Sequence, residues 1–127
     1  MGDAYRLAGR LEEAHHRIRQ ALEVFRLRGE RGYEAWALRG LAELHTRGDS
    51  PDLQRAEDFY RQAMSLAEEL GMRPLVARCH LGLGILYREM GRLPQAQGEL
   101  CPAIDSFRSM GMTFWLAQAE AELARMR

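Results

Sequence analysis

The side chains that could do chemistry are few, and their spacing does not assemble a reaction. The histidines are His15, His16, His45 and His80. None forms an HExxH motif or a pair four residues apart, the spacing that aims two imidazoles at one metal from a helix. Cys79, His80 and Cys101 could meet in space, but Cys79 aligns with Ala37 and Ala119 and reads as a small buried residue. Glu12-Glu13 and Glu68-Glu69 are adjacent pairs, which is helix-surface charge and not an acid/base couple. Gly82-Leu83-Gly84 lacks the third glycine and the preceding strand of a dinucleotide site. The serines have no His and Asp partners at a suggestive spacing. The expectation is a non-enzymatic chain with no cofactor and no metal.

Composition narrows the partners. The 127 residues carry 18 basic and 18 acidic side chains, for a net charge of zero. Nucleic acid and anionic membranes favour a basic surplus, so neither is expected as a partner. Every basic residue is Arg. Lys and Asn are both missing, which excludes a Gly-Lys-Ser phosphate loop and suggests the coding bias of a high-GC bacterial genome. No apolar run is long enough to span a bilayer. With two Cys and enough chain for a core, no disulfide is expected, and the reading is cytoplasmic.

The elements come from an internal repeat. Gly2, Tyr5, Arg6, Gly9, Arg10, Leu11 and Ala14 recur as Gly84, Tyr87, Arg88, Gly91, Arg92, Leu93 and Ala96, an offset of 82. That offset halves. Ala14, Ala56 and Ala96 mark one position three times, as do Ala21, Ala63 and Ala103, and Gly29, Gly71 and Gly111. Within each unit of 40–42 residues two helical stripes recur at spacings of three and four. The first-helix stripes are Tyr33, Ala37, Leu41, Leu44; Leu75, Cys79, Leu83, Leu86; and Trp115, Ala119, Leu123, Met126. Second-helix stripes run through Ile18, Tyr60 and Leu100, ending at Phe25, Leu70 and Met110. Alternation is absent, so no strands are expected.

Punctuation places helices at about 2–8, 11–28, 31–47, 51–70, 73–90, 93–110 and 113–126. Gly9, Gly29, Gly48, Gly71, Gly91 and Gly111 stand where each should stop. Pro51, Pro74 and Pro94 suit first turns, and Ser50 is a candidate N-cap. Pro102 falls inside the sixth helix and should bend it near 98–102, where Gly98 eases the clash. Gly84 beside Ala96 should let two helices approach closely.

The pattern Gly84, Tyr87, Gly91, Ala96, Leu100, Ala103 resembles the tetratricopeptide repeat. Gly2, Tyr5, Gly9, Ala14, Ile18 and Ala21 resemble it equally well. The middle unit is looser: Trp36, Leu41, Ala42 and Ala56 fit, but His45 replaces the Tyr and Asp49 the Gly. At the Tyr position, His45 is expected as a packed ring with one hydrogen bond, while His15 and His16 are expected in solvent. The usual period of 34 is exceeded, which is similar to the long-helix variant in bacterial regulators. Residues 81–123 resemble the C-terminal tail of multidomain signalling proteins. The resemblance implies an all-α, right-handed solenoid of about seven antiparallel helices. Its units would be 1–30, 31–72 and 73–112, with a capping helix at 113–127. It also implies a concave groove lined by first helices. Carried across, the groove residues are Asp3, Arg6, Trp36, Arg39, Glu43, Arg47, Arg78, Leu81, Ile85, Arg88 and Gln118. Arg offers bidentate carboxylate recognition and Trp an apolar platform, although solvated helix surface gives the same pattern.

The expected function is therefore a protein-interaction or scaffold segment, binding a peptide or helix, within a larger bacterial signalling protein. The alternative is homo-oligomerisation without a foreign ligand. Residue Gly2 falls mid-helix in the repeat phase, so the N-terminus reads as a cut through a longer array. Self-association through its open apolar face, or fraying of residues 1–9, is expected. The final helix carries Leu116, Glu120 and Ala124 where its counterpart has Val76, His80 and Gly84, which reads as the polar face of a terminal cap.

Overall fold

The structure, a computed structural model, describes residues 2–48 and 51–126, with side chains from residue 8 onward. Among them are six helices and no strand: α1 (Gly2–Arg28), α2 (Arg31–His45), α3 (Leu53–Glu69), α4 (Arg73–Glu89), α5 (Leu93–Ser109) and α6 (Thr113–Ala124). The fold is all-α, built of consecutive helical hairpins. Its residues group into two compact units, 1–66 and 67–127.

Four of the junctions use one device. Gly29, Gly71, Gly91 and Gly111 all have φ between 68° and 76°. This left-handed conformation penalises any side chain but suits glycine. The residue that follows then does two jobs. Its N–H closes the old helix, as in Met72 N to Ala67 O and Arg92 N to Tyr87 O, both 2.8 Å. Its carbonyl opens the new one, as in Val76 N to Met72 O and Ala96 N to Arg92 O, both 3.0 Å. These are Schellman closures fused to the next helix start, so no side-chain cap is needed. Pro74 and Pro94 sit in the first turn just beyond, where a missing N–H costs nothing.

The α2–α3 connection is different. Gly48 has φ 93°, and Asp52 is the N-cap: its Oδ1 accepts the Arg55 N–H at 3.1 Å and its carbonyl the Ala56 N–H at 3.0 Å. Pro51 thus precedes the helix and does not enter its first turn. Ser50 lies outside the described residues.

One expectation about helices is corrected. The helices expected at 2–8 and 11–28 are one, because α1 runs through Gly9 without a break. The repeat's stop at Gly91 is enforced by Pro94, which has no N–H to give to residue 90. The position matching Pro94 in α1 is Glu12, a good helix former. α5 runs unbroken through Pro102, as its expected span of 93–110 requires.

In the first unit, α1 packs on α2. Leu22, Ala35, Leu38, Leu41, Ala42, Ala56, Tyr60 and Ala63 are buried. Tyr33, expected in the core stripe, is 63% exposed and stacks on Phe25 at 5.3 Å. The buried line of α2 runs through Ala35, Leu38, Leu41 and Ala42, starting two residues after Tyr33. In the second unit, α4 packs on α5 and α5 on α6. Ala77, Leu81, Leu100, Ala103, Ile104, Phe107 and Ala119 form the core, flanked by Ile85, Met110, Met112, Trp115 and Leu116. The other stripe of α4, Leu75, Cys79, Leu83 and Leu86, is buried as expected. Gly84 is a close-approach glycine: an added Cβ would lie 2.6 Å from Leu100 Cγ and Cδ2.

Candidate functional site

On α2, residues three and four apart share a face, and Trp36, Arg39, Glu43 and Arg47 follow that spacing. The Arg39 guanidinium lies 5.5 Å from the Trp36 ring centroid. Its Nη1 donates to Glu43 Oε2 at 3.1 Å, and Arg47 Nη2 donates to Glu43 Oε1 at 2.7 Å. One carboxylate therefore holds two guanidiniums, leaving one surplus positive charge on a face that also carries a partly exposed indole. Arg39 is largely covered, and its Nε is buried without a hydrogen-bond partner. Arg47 is the open member, with its side chain 59% exposed. Arg6 and Asp3 belong to α1, but their side chains lie outside the described residues.

In the second unit the candidate residues turn inward. Arg78 lies 4.1 Å above the Trp115 ring, and Arg88 Nε is 3.0 Å from Glu122 Oε2. Arg125 joins the same carboxylate at 3.2 Å. The Arg88–Glu122 pair is close, but its N–H is not aimed for a hydrogen bond, so the attraction is mainly between charges. These contacts tie α4 to α6. Leu81 is 5% exposed inside the core, so its side chain has almost no surface to offer a ligand. Ile85 is half-buried against the same core; Glu89 and Gln118 are exposed.

Three contacts were not legible in the sequence. His80 Nδ1 lies 2.7 Å from Glu99 Oε2, joining α4 to α5. His45 stacks flat on Phe59 at 5.4 Å, and His15 meets it edge-on at 4.6 Å. His15 aligns with Glu57 and Gln97, which pointed to solvent; it is instead half-buried. The ring packing expected of His45 is present, and its Nε2 is buried with no hydrogen-bond partner among the described residues. Cys79 is buried and Cys101 exposed. No cluster of three metal-binding side chains occurs among the described residues.

The two stacked imidazoles make a pH prediction. Burial lowers the pKa of both His15 and His45 below 6.5, and Arg19 lowers His15 further. His15, Arg55 and Arg19 also lower His45, against a rise from Asp52. A lowered histidine favours the neutral fold, so its stabilisation is complete above pH 6.5 and is lost as pH falls through the folded-state values. Denaturation followed by Trp36 fluorescence should show the first unit weakening below pH 6.5. His45→Tyr, which restores the residue found at Tyr87, should flatten that dependence.

Hairpins of amphipathic helices, fused through glycine junctions and repeated at 40–42 residues, define a helical-repeat protein of the tetratricopeptide class. The chain belongs to the family of MalT-like TPR regions, whose model matches residues 1–127. A comparison with curated proteins finds no match. Repeats of this family serve generally in protein interactions and are typically non-catalytic. No helix among the described residues is long and apolar enough to cross a membrane.

Proposed function

We propose that this chain is a non-catalytic interaction module of a cytoplasmic bacterial signalling protein, binding an acidic peptide or helix. The observation that carries the reading is the α2 face, where Trp36 adjoins the Arg39 guanidinium and the Glu43 carboxylate holds both Arg39 and Arg47. A ligand carboxylate can replace Glu43 on Arg47, while an apolar ligand side chain rests on the indole.

A glutamate-rich peptide with one aromatic residue is a suitable probe. Its titration should quench Trp36 fluorescence, and Arg47→Glu should weaken binding about tenfold or more with helicity unchanged. Arg39→Glu combined with Arg47→Glu should abolish binding. Unchanged affinity in all of these variants would refute the acidic-ligand reading.

A second reading is homo-oligomerisation through the N-terminal apolar face. The half-buried Leu11, Ala14, Ile18 and Ala21 of α1 favour it.

A further inference from the structure

The internal repeat lets one surface be compared with another. α4 and α6 correspond at an offset of 40, and α1 and α5 at an offset of 82. On α4, the face that receives α5 includes Ala77, His80 and Gly84. Ala77 is fully buried, His80 meets Glu99, and Gly84 lies against Leu100. The same register on α6 is Ala117, Glu120 and Ala124, and all three are exposed. Beside them Phe114 is 65% exposed, and a groove of about 260 Å³ is lined by Ile104, Arg108, Glu120, Leu123 and Ala124. α6 thus has the register of a helix-receiving face, and no described helix covers it.

α1 has the complementary register. Its Ala14, Ile18, Ala21 and Phe25 correspond to Ala96, Leu100, Ala103 and Phe107 of α5. The four α5 residues are fully buried, whereas the four α1 residues remain half-exposed. Charge then selects the pairing. Where α4 and α5 oppose His80 and Glu99, α6 has Glu120 and α1 has Arg17. The receiving side has changed from a nitrogen base to an acid, and the incoming side from an acid to a base. Among the described residues Arg17, 74% exposed, pairs with Glu13 on its own helix, and such a pair can be exchanged at little cost. Glu120 is 52% exposed, with Arg108 no closer than 3.8 Å.

We propose that α1 of a second copy docks on α6, laying Ala14, Ile18, Ala21 and Phe25 along Ala117 and Ala124 and setting Arg17 against Glu120. The inference rests on the self-association reading and names the surface that meets the N-terminal face. Because the two patches differ, the contact is heterologous, and copies join head to tail into rings or open chains.

Sedimentation velocity of the full chain, from micromolar to millimolar, tests it. The average mass of the wild type should rise with concentration. Arg17→Glu and Glu120→Arg should each weaken association at least about tenfold, without changing the circular dichroism. An equimolar mixture of these two variants should associate again with the chains alternating, because every junction between unlike variants sets one acid against one base, whereas like variants repel. The double variant R17E/E120R should recover the full series. A wild type that stays at single-chain mass throughout overturns both this contact and self-association. Association that persists unchanged in R17E and E120R, or a mixture that fails to pair, overturns the α1–α6 contact and leaves self-association standing.

Discussion

Phe107→Ala should cost the second unit about 3–5 kcal/mol, the range for emptying a buried aromatic site. Phe107 is fully enclosed in the core of α4, α5 and α6. Its ring centroid is 6.5 Å from that of Trp115, and its carbonyl accepts the Met112 N–H that closes α5. The deletion therefore removes packing at the residue where one helix hands over to the next. The two tryptophans make the effect local to read, since Trp36 lies in one unit and Trp115 in the other. In a Trp36→Phe background, urea unfolding followed by Trp115 fluorescence should shift strongly on adding Phe107→Ala. In a Trp115→Phe background, the Trp36 transition should move less, because repeat units depend mainly on themselves and their neighbours. Equal shifts at both probes would mean that the units unfold as one.

Gly84→Ala should also destabilise, although alanine normally improves a helix by about 1 kcal/mol. The new Cβ would stand 2.6 Å from two atoms of Leu100, which is itself fully buried and has nowhere to retreat. Overpacking of that kind costs about 1–3 kcal/mol and should outweigh the propensity gain. Removing the obstacle should reverse the sign: in a Leu100→Ala background, Gly84→Ala should become neutral or stabilising. A thermal-unfolding double-mutant cycle measures that coupling directly. Gly40 is the control. An added Cβ there would meet only the tip of Ile18 at 3.4 Å, so Gly40→Ala should stabilise by about 1 kcal/mol. If Gly84→Ala is destabilising to the same degree with and without Leu100, the close approach is not its cause.

These two sites also show what a sequence can disclose about such a fold. Gly84 beside Ala96 was legible, because small residues at matching repeat positions announce a close helix crossing. The stops at Gly29, Gly71, Gly91 and Gly111 were legible from turn chemistry, and each has the expected positive φ. Extending the same logic to Gly9 failed, because a glycine permits a stop without compelling one and Glu12 lets the helix run on. Contacts between different helices were the least legible. Periodicity assigns a residue to a face but does not say which ring it meets, so His15 against His45 and His80 against Glu99 were invisible. Leu81 shows the same limit within the candidate site. Its place in the pattern suggested the groove, whereas its side chain is core.

At four junctions a single residue after the glycine both ends one helix and begins the next. Such joints have no slack. An inserted residue would swing the following helix by about 100° and carry its apolar stripe off the core. α3 instead starts from a side-chain cap at Asp52, and ahead of that cap the chain can be lengthened without disturbing phase. Length variation among homologous repeats should therefore concentrate at that one connection, which is also the natural point for grafting a tag or a reporter domain.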